Sequence, residues 1–210
     1  MKTAMVWGAS GGIGSALVQR LVDEGWEVLS VARDPGAVPP LSAEVIEADV
    51  ADPRSVQEAV ARSEELVHEV DLWIYAVADI TSVKAEEMPP EDWERILVAN
   101  LTGAYLSVHH SLPLLAADAH IVFLGAVSER LRLPGLAAYA SAKAGLEAFA
   151  DVLRKEQRPR RVTLVRPKAV QTSLWEKAPF SLPPGAMSPQ ALVERILQAN
   201  QDGHSGVLNL

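Results

Sequence analysis

The chain has 210 residues, 49% hydrophobic and 22% charged, a size and balance that fit one globular α/β domain spanning residues 1–210. Its net charge of −8, with no basic run longer than the "RPRR" at 158–161, argues against nucleic acid or an anionic membrane as the main partner. Cysteine is absent, which excludes disulfides and thiolate chemistry, and no apolar run approaches the roughly 18 residues of a membrane span.

The N-terminal "MKTAMVWGASGGIG" holds too short an apolar run for a signal peptide. It reads as a buried first strand, 3–7, of a cytoplasmic protein, followed by a helix over 13–24 that turns Ile13, Leu17, Val18 and Leu21 inward. Strands are expected at 27–32 and 44–48, with a loop at 33–43 between them. A helix over about 53–66 is opened by Asp52 as cap and Pro53 at its first position. Next come a strand at 71–76, a long helical stretch from about 91 to 117, a strand at 119–124 and a helix over about 137–157. A strand at 161–166, a Pro-rich loop at 178–189, a helix at about 189–201 and a last strand in "GVLNL" complete the chain. Apolar strands alternating with helices require crossover connections, so the sheet is expected to be parallel and doubly wound, with helices on both faces.

The turn "WGASGGIGSA" joins the first strand to the first helix, with Gly8, Gly12 and Gly14 spaced G-x-x-x-G-x-G. Glycines there let backbone approach a diphosphate, and the helix N-terminus offers free N–H groups to the anion. Gly8, Ser10, Gly11, Gly12, Ile13 and Gly14 are therefore candidate dinucleotide-binding residues; a flexible turn is the plainer alternative. The second strand ends "SVARDP", where an acid would take a ribose 2′-hydroxyl and an arginine a 2′-phosphate. Arg33, with Ser30 also in reach, favours NADP(H) over NAD(H); a solvated Arg33 paired with Asp34 is the competing explanation.

The stretch "AAYASAKAG" sets Tyr139 and Lys143 four residues apart, on one helix face. A lysine ammonium beside a tyrosine favours the phenolate, lowering a pKa of about 10 toward a value useful for proton transfer to a carbonyl oxygen. A packed ring with a snorkelling amine is the ordinary alternative. The five histidines show no metal-ligand spacing and are expected at the surface or core edge, with no metal site. In "AEEMPPEDWE", Glu91 and Asp92 suit a helix start.

With the glycine turn, "ADV" after the third strand, Asn100, and Tyr139-x-x-x-Lys143 in this order, the whole chain resembles the short-chain dehydrogenase/reductase family. The resemblance implies a Rossmann sheet ordered 3-2-1-4-5-6-7, a nicotinamide cofactor and reversible carbonyl/alcohol chemistry on a small molecule. It implies an adenine contact at Asp49 with Val50 beside it, cofactor contacts at Ala76, Pro167 and Thr172, and a water in a proton relay held by Asn100. It gives Tyr139 the acid/base role and gives Lys143 the tuning of that tyrosine together with a hold on ribose. It also suggests a homodimer or homotetramer built on the two long helices, with Leu146, Phe149 and Leu153 adding apolar surface.

The sequence departs from the family pattern in four places. Thirteen residues before Tyr139, where a serine would share the substrate oxygen, stands Ala126; the nearest hydroxyl is Ser128. The usual N-N-A-G is "YAVA", Tyr75 to Ala78, the threonine before the first glycine is Trp7, and the glycine after Pro167 is Lys168. Losing one preorganised oxyanion donor costs about 2.7–4 kcal/mol in comparable sites. Ser128 swinging in, Lys168 or a substrate group substituting, and a non-catalytic NADP(H)-binding sensor or scaffold all remain open. The segment of about 172–188, with Leu174, Trp175, Phe180, Leu182 and Met187, reads as an apolar lid over a modest pocket.

Overall fold

The computed structural model describes residues 1–38, 40, 44–178 and 180–210; parts of the expected loops at 33–43 and 178–189 lie outside them. Seven strands form one sheet: β1 Thr3–Trp7, β2 Glu27–Ala32, β3 Glu44–Glu47, β4 Val70–Tyr75, β5 Leu115–Leu124, β6 Arg161–Arg166 and β7 Gly206–Asn209. Their order is β3-β2-β1-β4-β5-β6-β7, and every pairing is parallel. The helices are α1 Gly12–Asp23, α2 Pro53–Leu66, α3 Pro90–Leu97, α4 Gly103–Ser111, α5 Ala137–Glu156 and α6 Pro189–Gln201.

The period-2 alternation of the strands divides the core in two. Met5, Trp7, Trp73, Tyr75, Ile121 and Phe123 face one helical layer, and Ala4, Val6, Leu72, Ile74 and Val122 face the other, with α1 and α6. Both sets are fully or nearly fully buried. Asp52 caps α2 as expected, accepting from the Arg54 N–H at 2.9 Å.

Two departures from the expected elements have visible causes. The single helix expected over 91–117 is interrupted by a π-helical segment, Val98–Thr102, and ends at Ser111. At the interruption the Asn100 amide binds Ile96 O at 2.9 Å and Asp79 O at 2.7 Å, and at the end Pro113 removes a backbone donor. β5 accordingly starts at Leu115 instead of 119, with a register irregularity opposite β4 between Val70 and Leu72. His120 is not a surface or core-edge residue either: it is fully buried on β5.

Candidate active site

All seven strands run the same way, so the segments after β1, β2, β3, β4, β5 and β6 emerge at one edge. The first is the glycine turn. Gly8 has φ +84°, and a Cβ there would lie 2.8 Å from Val77 N. A Cβ on Gly14 would sit 2.0 Å from Gly8 O, so only glycine lets α1 start against this turn. Gly12 faces the Thr172 methyl, where a Cβ would be 3.0 Å away. Gly11 is the N-cap of α1 and gives no side-chain cap, and the first turn carries no acid. The helix therefore presents uncapped N–H groups, with the positive end of its dipole, to a glycine-lined cradle. These residues fit a dinucleotide diphosphate.

The neighbouring strand ends carry the other candidates. Arg33 is exposed just after β2. Asp34 is not paired with it; its carboxylate instead accepts the Gly36 N–H at 3.0 Å and caps a short 3-10 turn. Ser30 cannot reach a surface phosphate, as it is fully buried and alternates with Val28 and Ala32 on the α1 side of β2. Asp49 accepts the Ala51 N–H at 2.9 Å and donates its own N–H to Ser55 Oγ at 3.0 Å, with Val50 buried beside it.

Beyond the glycine turn lies a cavity of about 140 Å³. Ile13, Ala76, Tyr139, Lys143, Pro167 and Thr172 line it, so six candidates from four separate segments converge there. Ile13, half-buried, packs against the same core cluster as the fully buried Leu17, Val18 and Leu21 and also lines this cavity. Ile80, Leu131, Leu136, Leu174, Trp175 and Phe180 add an apolar lining, so of the five apolar residues expected from 172–188 three reach the pocket, while Leu182 is exposed and Met187 packs against the core. Ala126 and Lys168 also line it; Lys168 is exposed, with its N–H bonded to Leu210 O at 3.2 Å. Ser128 begins a 3-10 turn, Ser128–Leu131, and its side chain is outside the described set.

Tyr139 and Lys143 lie on the inner face of α5, both buried. The ammonium sits 5.6 Å from the tyrosine ring centroid and donates to Leu124 O at 2.9 Å. Among the described residues the Tyr139 hydroxyl has no hydrogen-bond partner. The expected lowering of the tyrosine is not what this arrangement produces. Burial pushes Tyr139 up to about 12, because desolvation of a phenolate outweighs an ammonium that is engaged by a carbonyl. Burial likewise pushes Lys143 down to about 8. Asn100 is fully buried behind the cavity, its two N–H groups bound to Asp79 O and Ile96 O and its Oδ1 unpaired.

Two residues around the site make contacts that the sequence does not show. Arg166, at the end of β6, donates to Ala126 O at 3.2 Å and pairs with Glu129 and Glu147, which ties down the segment carrying Ala126. Tyr75, in place of a family asparagine, donates to Ala99 O at 2.8 Å and backs the π-helical segment. Both contacts join residues far apart in the chain, so spacing could not reveal them.

The glycine turn and the seven-stranded parallel sheet make a Rossmann-like α/β fold, and the chain belongs to the short-chain dehydrogenase family, whose model matches residues 2–180. The family comprises oxidoreductases that use a nicotinamide cofactor. The chain is 30% identical over 180 residues to serine 3-dehydrogenase of Rhizobium radiobacter, covering 81% of this chain and 72% of that protein. It is 27% identical over 190 residues to a 3-oxoacyl-[acyl-carrier-protein] reductase of Mycobacterium tuberculosis, covering 89% and 76%. Aldohexose dehydrogenase of Thermoplasma acidophilum has the same fold, with a TM-score of 0.89 at 22% identity over 100% of this chain and 92% of that one.

Proposed function

We propose that the protein is an NADP(H)-dependent oxidoreductase of a small carbonyl or alcohol, with Tyr139 as acid/base and Lys143 as its partner. The observation that carries this reading is the unpartnered Tyr139 hydroxyl in a cavity shared with Ile13, Pro167 and Thr172. Gly8, Ser10, Gly11, Gly12 and Gly14 would hold the diphosphate, Asp49 and Val50 the adenine, Ala76, Pro167 and Thr172 the nicotinamide end, and Lys143 ribose hydroxyls. The bound nicotinamide supplies or accepts a hydride.

In the reducing direction the Tyr139 hydroxyl hydrogen-bonds the carbonyl oxygen and gives it a proton as the carbon is reduced. A tyrosine pushed up by burial stays protonated at neutral pH and so holds the proton that the carbonyl oxygen receives. Lys143, pushed down to about 8, keeps an ammonium there that stabilises the phenolate left behind. Asn100 supports reprotonation through a water at the interrupted helix. The apolar wall excludes water and selects a mostly apolar substrate. Leu146 and Leu153, expected to add apolar surface, are instead buried in this chain's own core, with Phe149 packed against it; exposed Tyr105 and Val152 would give α4 and α5 an outer apolar face for a second copy of the chain. No helix among the described residues is long and apolar enough to cross a membrane, in keeping with a cytoplasmic role.

The second reading, a non-catalytic NADP(H)-binding sensor or scaffold, is favoured by one observation: Ala126 lines the cavity with a methyl, which offers no hydrogen-bond donor to a developing oxyanion. Fluorescence titration with NADPH and NADH, followed by a panel of small aldehydes and ketones, separates the two. NADPH binding with turnover supports the enzyme, and binding without turnover supports the sensor. Arg33, with Asp34 engaged in its own cap, supports NADP(H). Arg33→Ala should weaken NADPH about tenfold or more and leave NADH unchanged; equal affinities in the wild type would reverse the cofactor assignment.

A further inference from the structure

Behind the Tyr139 cavity, one carboxylate joins three elements. Asp79, in the segment after β4, accepts from Lys177 Nζ at 2.8 Å and from the Ile80 N–H at 2.9 Å, and pairs with Arg95 of α3. Its backbone oxygen accepts from Asn100 Nδ2 at 2.7 Å. The Asp79 side chain is 18% exposed, against 60% for Lys177 and 44% for Arg95, so the acid is the fixed inner member.

Lys177 ends the 3-10 turn Ser173–Lys177, which carries Leu174 and Trp175 of the outer wall. The root of that segment is well held. Trp175 Nε1 donates to Val170 O at 2.7 Å, and Val170 bridges Met187. Gln171 N–H donates to Met187 O, and Met187 N–H to Ala169 O, each at 2.9 Å. These bonds all lie on the β6 side of the cavity. The Lys177–Asp79 ion pair is the polar contact, among the described residues, that crosses from the turn to the β4 side.

We propose that Asp79 is a positioning residue for the reaction. Through Lys177 it latches residues 173–177 across the substrate cavity, and through its backbone oxygen it seats Asn100. Pocket closure and the proton-relay residue thereby share one anchor. The proposal rests on the catalytic reading of the Tyr139 site. Arg95 and the Ile80 N–H continue to hold the carboxylate when Lys177 is removed, so the two roles separate experimentally.

The test compares wild type, Lys177→Met, Lys177→Arg and Asp79→Ala by hydrogen–deuterium exchange of the 173–178 amides, by thermal melting, and by kinetics with NADPH and cyclohexanone. Lys177→Met should speed exchange of those amides about two- to fivefold, the range for a partly exposed ion pair, with an unchanged melting temperature. It should raise KM by a similar factor and leave kcat near the wild-type value. Lys177→Arg should restore both readouts, and Asp79→Ala should lower kcat as well. Equal exchange in wild type and Lys177→Met, or failure of Lys177→Arg to restore it, would overturn the latch. Absence of turnover in the wild type sinks the catalytic reading alone, because the latch stands or falls on the exchange rates, which also decide the matter if Asp79→Ala does not fold.

Discussion

Two buried polar clusters sit at opposite ends of β5 and β6, and they differ in what their polar atoms touch. At the amino-terminal end, His120 Nδ1 meets Asn200 Oδ1 at 2.9 Å and Nε2 meets Thr163 Oγ1 at 2.8 Å. Arg161 adds contacts to Asn200, and Thr163 lies 3.3 Å from His204 O. At the carboxyl-terminal end, Lys143 is bound to Leu124 O, but the Tyr139 hydroxyl faces a cavity with no partner. Burial shifts titration at both ends: His120 is pushed down to about 4 and Tyr139 up to about 12. A shifted pKa is therefore common to both and does not mark the functional one. Nor is an unpaired polar atom enough, since His204 Nε2 at the structural end is buried without a partner; the mark is such an atom next to space that can hold a ligand.

Tyr139→Phe breaks the comparison most strongly. Removing the hydroxyl takes away the acid and should lower kcat by about 10²–10⁴, with NADPH affinity little changed, as read by turnover and fluorescence titration. A variant with wild-type kcat would show that the unpartnered hydroxyl is idle.

Ala126→Ser comes next and runs in the opposite direction. Arg166 and the Gly125 N–H, bound to Val165 O at 2.8 Å, fix the backbone at this position. A serine there would point a second donor into the cavity, and kcat should rise by up to about 10²–10³. No gain would mean that the second donor comes from elsewhere, and a kcat/KM comparison with Ser128→Ala would locate it.

The two clusters also differ in how far the sequence showed them. The parallel, doubly wound character of the sheet was legible because short apolar runs alternate with helices, whereas the strand order came only with the family resemblance; the glycine turn and Tyr139–Lys143 were legible because each lies within a few residues of chain. The pull of burial on Tyr139 was not, since desolvation depends on what packs over α5. Ser30 was assigned to the phosphate by proximity in sequence, yet its alternation with Val28 and Ala32 already set it on the other face. The His120 cluster draws on residues 120, 161, 163, 200 and 204, and the Asp79–Lys177 pair spans 98 positions, separations at which no spacing rule operates.

The remaining expected effect lies at the structural end, in the pH dependence of folding and not in turnover. Asn200 Oδ1 also accepts from Arg161 Nη2 at 3.1 Å, which makes it an acceptor toward the ring; Nδ1 of His120 therefore carries the proton, and Nε2, at 2.8 Å, takes the single Thr163 hydroxyl proton in place of His204 O at 3.3 Å. Protonation would force Nε2 to become a donor inside a desolvated, cationic environment, which is why the folded value falls from 6.5 to about 4. The unfolded imidazole takes up its proton near 6.5, so between these values the unfolded chain binds more protons and stability rises with pH. The contribution is complete above the unfolded value and is lost progressively as pH falls toward 4, amounting to roughly 3 kcal/mol. Urea unfolding of wild type should therefore weaken more steeply from pH 7 to pH 4.5 than that of His120→Gln, while NADPH binding at pH 7 stays the same in both. Equal slopes would remove His120 from the cluster's energetics, and altered NADPH binding would show that the two ends of the strands are not independent.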